Sequence, residues 1–174
     1  MNKLRTPAWS IRRATQQESA YINDLQRRLN RPLRSDSVTS EYFVAVSGQQ
    51  IVGCAAVRKR GYVGYLYGLT VDKPWRRQGI GHALTRARLE WLRNEQVQSA
   101  FVMAMFWNIR FFRKHGFILT NRRTIGAVQS LHSDFSDGWS RRSALLFIDL
   151  LEKRKRTGEE ALGQNGAFTS GVLD

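Results

Sequence analysis

The sequence is poor in the residues that most often carry disulfide and metal chemistry. Its 174 residues include one cysteine, Cys54, and three histidines, which excludes an internal disulfide and leaves no Cys/His cluster at metal-ligand spacing. No metal site is expected. Long apolar runs are missing too: nothing approaches the roughly 18 consecutive apolar residues of a membrane helix, and residues 1–11 have no apolar stretch of signal-peptide type. These absences argue against a membrane partner and for a cytoplasmic protein. Acidic residues are scarce, 14 against 28 Lys plus Arg, for a formal net charge of +14. What the chain does have is 42% apolar and 11% aromatic residues, which rules out wholesale disorder and suffices for one core.

The positive excess is unevenly spread. Residues 1–151 hold 24 basic and 10 acidic side chains, whereas residues 152–174 hold four of each. We therefore expect a single charged domain over 1–151 and a polar, glycine-containing tail over 152–174. Of the 28 basic residues, 22 are arginine, the side chain suited to bidentate phosphate and carboxylate contacts. A polyanionic ligand is the first candidate, with nucleic acid, an acidic membrane and a nucleotide cofactor all open on charge alone, beside a charge that serves solubility only.

Local patterns order the elements. Trp9 to Arg13 reads as a short strand, and Thr15-Gln16-Gln17-Glu18 as a capping box ahead of a helix that puts Ile22, Leu25 and Leu29 on one face. Asn30 to Ser40 reads as a loop or broken helix. Tyr42 to Val46 and Ile51 to Val57 form a hairpin around Ser47-Gly48-Gln49-Gln50. Arg58-Lys59-Arg60-Gly61 reads as a second turn, and Tyr62 to Val71 as a third strand.

Asp72 to His82 then leads into an amphipathic helix with Ile80, Ala83, Leu84, Ala87, Trp91 and Leu92 at helical spacing. A strand, a basic loop with Gly79 and Gly81, and a helix start together make an anion site: the glycines let main-chain amides approach, and the helix dipole favours phosphate. The loop lacks the Gly-Lys-Ser/Thr of a Walker motif and the three glycines of the dinucleotide fingerprint. Farther on, Ala100 to Ala104 and Ser143 to Leu150 read as strands, with another over Phe117 to Arg122, and Gly116-Phe117 as a helix C-cap with its apolar contact. Ile125, Val128, Gln129 and Leu131 suggest a short helix or ordered loop.

Several of these segments together resemble the GCN5-related N-acetyltransferases (GNAT). Arg76-x-x-Gly79-x-Gly81 fits that family's acetyl-CoA signature, preceded by Leu69-Thr70-Val71-Asp72. Ile11 to Thr15, Phe43 to Gly53 and Ile109 to Phe117 match further motifs in order. The resemblance implies an α/β (α+β) fold: a mixed, mostly antiparallel sheet of six to seven strands, helices on both faces, and a splayed central strand pair. It implies acetyl-CoA as cosubstrate, its pantetheine arm on Leu69, Thr70 and Val71 and its pyrophosphate wrapped by Arg77, Gln78, Gly79, Ile80, Gly81 and His82, with Arg76 adding charge. Val71 is the implied oxyanion donor.

Two departures from the family pattern bear on chemistry. Where many members carry a proton-donating tyrosine, four residues before the Gly-Phe pair, this chain has Phe112. The family's asparagine position is Met105; Asn108 is the available substitute for a cofactor contact, and it is equally explained as a helix N-cap. No carboxylate lies in Tyr65 to Leu69 or in Phe101 to Met105, leaving Tyr67, with Tyr65, as a proton relay, or His132 and Asp134. These gaps favour an acceptor that is already a neutral amine: a small molecule or an α-amine such as an amino acid. The alternatives are a protein or ribosomal N-terminal acetyltransferase and a non-catalytic CoA-binding or RNA-associated module. Arg122, Arg123, Arg141 and Arg142 could meet an acceptor carboxylate. A homodimer is compatible with the resemblance; nucleic acid or the ribosome is a less favoured partner.

Overall fold

Near-continuous apolar runs between residues 40 and 71, the first two buried on both faces at their centres, produce a three-stranded antiparallel meander, and the other described elements pack around it. The structure, a computed structural model, describes residues 8–28, 40–120 and 142–151. In chain order these form β1 (Ser10–Arg13), α1 (Ser19–Arg28), β2 (Ser40–Ser47), β3 (Gln50–Arg60), β4 (Val63–Val71), α2 (Ile80–Asn94), β5 (Ser99–Met105), α3 (Ile109–Arg113), β6 (Ile118–Leu119) and β7 (Ser143–Asp149). One seven-stranded sheet results, in the order β1-β2-β3-β4-β5-β7-β6. Among its described pairings only β4 with β5 is parallel, the α2 crossover between them being long enough to allow it.

The period-2 pattern sends neighbouring residues of β2 to opposite faces. Phe43 and Ala45 join the core under α2 and α3, with Ile80, Leu84, Leu92 and Phe112. Val44, with Cys54 of β3, meets Ile22 and Leu25 of α1 on the other face. Helices thus flank both faces. The capping box ahead of α1 is visible in Glu18, whose Oε2 accepts the Thr15 N–H at 2.8 Å. At the end of α3, Gly116 at φ +91° turns the chain, and Phe117 packs edge-on to Phe112.

The expected turn at Arg58 to Gly61 is a correction. β3 runs on through Arg60, and the reversal falls at Gly61, at φ +57°. The charged run stays extended because its side chains have partners: Lys59 Nζ donates to the Glu95 carbonyl at 2.9 Å and its carboxylate at 3.0 Å, and the Arg58 guanidinium lies 5.8 Å over the Tyr67 ring. The strand expected over Phe117 to Arg122 is shorter, its described part being Ile118–Leu119. The readings of Leu29, residues 30–39, Arg122, Arg123, Ile125 to Leu131, His132, Asp134, Arg141 and the tail lie outside the described residues.

Candidate active site

β4 and β5 pair from Val63↔Ser99 to Leu66↔Val102 and then part. A bulge in β4 accompanies the parting. Against β3 the register steps from Ala56↔Tyr67 to Cys54↔Thr70, so Gly68 and Leu69 stand opposite Ala55 alone. Gly68 sits at φ +62°, and a Cβ there would come within 3.0 Å of Gln26 Nε2. A lone glycine inside a strand pattern is the signal for such a bulge, but the sequence reading passed over it.

The parting opens a cleft of about 840 Å³. Leu69, Thr70 and Val71 line one wall, and Val102 to Met105 the other. The Asp72 N–H donates to the Val52 carbonyl at 2.9 Å, so in the antiparallel ladder Val71, one residue earlier, turns its N–H and C=O away from β3 and toward the opening. Thr70 Oγ1 is buried with no hydrogen-bond partner among the described residues.

Beyond Val71, Asp72 caps a 3-10 turn over Lys73–Trp75 by accepting the Lys73 N–H at 2.9 Å. Arg77 at φ +63° and Gly79 at φ +84° then alternate with ordinary conformations before α2 begins. Such alternation turns successive amides inward as an anion-binding nest, and the 15-residue α2 adds its positive dipole end. Arg76, Arg77, Gly79, Ile80, Gly81 and His82 all line the cleft. Gln78 does not; its side chain donates to the Pro74 carbonyl at 3.2 Å.

On the far side, Asn108, Phe111 and Phe112 complete the lining. Asn108 occupies the N-cap of α3, but its side chain makes no cap bond. Phe111, which sequence reasoning missed as a site residue, packs 4.6 Å from the His82 ring and faces Gly81. His82 Nδ1 and His115 Nε2 share a hydrogen bond of 2.9 Å. Trp75, Trp107 and Ser143 also reach the cleft, unsignalled by any motif.

The two strand tyrosines separate in role. Their rings stack at 5.5 Å, yet Tyr65 lines the cleft and Tyr67 does not. The Tyr67 hydroxyl donates to Ser40 Oγ at 2.6 Å. Burial, then the neighbouring Tyr67, pushes the phenol of Tyr42 above its ordinary range. No Asp or Glu is among the described residues that line the cleft.

An acyl-CoA suits this donor set. Outward-facing strand groups match an extended pantetheine arm, the orphaned Thr70 hydroxyl lies on the same wall, and the amide nest at α2 matches a pyrophosphate. A splayed strand pair above such a nest defines an acyltransferase of the CoA-dependent class. The model of the acetyltransferase (GNAT) family matches residues 3–117, more than half of the chain, and the chain belongs to that family.

Solved structures agree on the fold. An acetyltransferase of the GNAT family from Staphylococcus aureus Mu50 is 14% identical, with 82% of this chain and 99% of that one covered at a TM-score of 0.62. The ribosomal-protein-S18-alanine N-acetyltransferase of Escherichia coli is 14% identical, covering 82% and 94% at 0.64. N-acetylglutamate synthase from Neisseria gonorrhoeae, in complex with coenzyme A and N-acetyl-glutamate, is 19% identical, covering 82% of this chain but 35% of that one at 0.66. At these identities the likeness is one of fold. No curated protein sequence matches significantly. Among the described residues no helix is long and apolar enough to cross a membrane, and no group of three or more His, Cys, Asp or Glu could hold a metal.

Proposed function

We propose that the chain is an acetyl-CoA-dependent N-acetyltransferase in which a neutral amine attacks the thioester directly, its acceptor being a small molecule or an α-amine such as that of an amino acid. The observation that carries this reading is a cleft wall without a carboxylate among its described residues. A lysine amine with a pKa near ~10.4 must lose its proton at a cost of roughly 4 to 5 kcal/mol at pH 7, whereas an α-amine near ~8 costs about 1 to 1.5 kcal/mol. With no carboxylate base among the described residues of the cleft, the second kind of acceptor is the workable one, and orientation supplies much of the rate.

The bound cosubstrate supplies an activated acetyl thioester. Leu69 and Val71 offer main-chain groups to the pantetheine arm beside the Thr70 side chain, and the amides of Arg77 to His82 hold the pyrophosphate, Gln78 through its main chain alone. The Val71 N–H donates to the thioester oxygen as negative charge develops there. Asn108 and Phe112 flank the sulfur end, where Phe112 excludes water but gives no proton. Tyr65 lines the cleft and relays the proton shed after attack, giving its own phenolic proton to water as it accepts the one from nitrogen, with Tyr67 fixed behind it; CoA leaves as the thiolate and takes its proton from solvent.

Calorimetry with acetyl-CoA, followed by CoA-thiol release over a panel of amines, tests the reading. We expect binding, and turnover fastest with α-amino acids and small amines. A preference for lysine peptides would overturn the acceptor class. N-terminal peptides outperforming free amino acids would move the acceptor to proteins, and binding without turnover on any amine would make the domain a CoA-binding module.

A further inference from the structure

The least expected side chain in the core is Arg88. It is fully buried in α2, where desolvation holds its pKa below the usual arginine range, and no ion pair to a carboxylate is found for it among the described residues. A buried charge of this kind persists only where its donors are matched. Nη1 donates to the Ala56 carbonyl at 3.1 Å and the Tyr67 carbonyl at 3.2 Å, and Nη2 to Thr85 Oγ1 at 3.1 Å. From the opposite face of the sheet, the buried Gln26 of α1 donates Nε2 to the Gly68 carbonyl at 3.2 Å.

The carbonyls of Tyr67 and Gly68 bracket the residue at φ +62°, and each is drawn to a different helix layer. The bulge that turns β4 away from β5 is therefore pinned from both sides. Val71, whose N–H faces the opening, lies three residues beyond it. We infer that Arg88 and Gln26 are positioning residues: they fix the bulge at Gly68, and through it the direction in which the Val71 N–H meets the thioester carbonyl. Neither lines the cleft. The guanidinium feeds carbonyls on two adjacent strands from Nη1 while Nη2 holds Thr85, which an aliphatic packing residue cannot do and the single nitrogen of a lysine can match only in part. The kinetic arm of the inference rests on the acetyl-transfer reading above.

The test compares Arg88→Met and Gln26→Leu, each removing the donors of one layer, with Arg88→Lys and with Ile148→Val, a core change in β7 away from the bulge. Turnover and the carbonyl stretch of bound acetyl-CoA labelled with ¹³C at the thioester are read well below each Tm. In the parent the band should lie below that of free acetyl-CoA. Arg88→Met and Gln26→Leu should return it toward the free value and lower kcat about tenfold, with the amine KM changed less than about threefold; Arg88→Lys should recover part of both. Ile148→Val should lower Tm alone. If Arg88→Met and Gln26→Leu behave like Ile148→Val, the inference is overturned; if Arg88→Met does not fold, Gln26→Leu decides alone by the same readings. Should the parent acetylate no amine, the proposed function falls but the band still decides, and an unshifted band in the parent overturns the inference.

Discussion

Arg76 Nε donates to the Val71 carbonyl at 3.0 Å, tying the first residue of the glycine loop to the end of the cleft strand. The bond makes Arg76 a brace between the end of β4 and the glycine loop, the proposed thioester and phosphate sites, where charge alone would have made it a phosphate ligand. Arg76→Lys keeps the charge but not the planar Nε donor, so it should weaken acetyl-CoA binding severalfold. The loss of one exposed hydrogen bond should cost about 1 kcal/mol or less of stability. Calorimetry and thermal melts check this; an unchanged affinity in Arg76→Lys would reduce the residue to its charge.

Gly79 and Gly81 belong to one motif but should respond differently to alanine. Gly79 caps α2 at φ +84°, a conformation that costs a non-glycine residue roughly 1 to 3 kcal/mol. Gly81 has an ordinary φ, and an added Cβ would meet Phe111 carbons at 3.5 and 3.6 Å, normal contact distances. Gly79→Ala should therefore lower both Tm and acetyl-CoA affinity, and Gly81→Ala should keep the fold. Equal loss of Tm in both would show that steric fit, and not backbone conformation, governs the nest.

Much of this was readable from residues. The hairpin was visible in two apolar runs around Gly48, α2 in its spacing of Ile80, Leu84 and Leu92, and the tight loop before α2 in Gly79 and Gly81. Two features escaped for the same physical reason. Arg58 to Arg60 read as a turn, and Arg88 was passed over, because a charged residue in isolation signals solvent. The partners that change this lie far along the chain: Glu95 for Lys59, the bulge carbonyls for Arg88. Phe111 likewise had no local mark, since what it does depends on Gly81 and His82 coming to lie beside it.

Acid should loosen the start of α1. The paired hydrogen bonds from Arg12, at 2.8 and 2.6 Å, hold the Glu18 carboxyl down to about 2, below its ordinary value of 4.5. A group depressed in the folded state contributes stability that is complete above its unfolded pKa and is lost as pH falls toward the folded one. Glu18→Gln should be less stable than the parent by about 1 kcal/mol at neutral pH, the usual scale of a helix-start contact. The gap should close between pH 4.5 and about 2. Denaturant titrations across that range measure it, and a gap independent of pH would mean the carboxylate charge plays no part.

Cys54 offers a probe of the α1 face that is independent of the cleft. Burial pushes its thiol up to about 11, with Gln26 and Arg88 acting weakly in the other direction. Since the thiolate is the reactive form, both chemistry and access oppose labelling of the native protein. Reaction with a disulfide reagent at pH 8 should be at least about a thousandfold slower than in denaturant, as expected when labelling waits for an opening of ~4 kcal/mol or more. Because Cys54 lies under α1 and is not part of the cleft lining, saturating acetyl-CoA should not change its rate through direct contact. Gln26→Leu removes the 3.6 Å Nε2 contact to Sγ and one of the weak effects holding the pKa down, so it should not make the thiol more reactive unless α1 itself opens more often. Faster labelling in that variant would therefore report release of the helix, and would separate loss of the α1 layer from a local change at the Gly68 bulge.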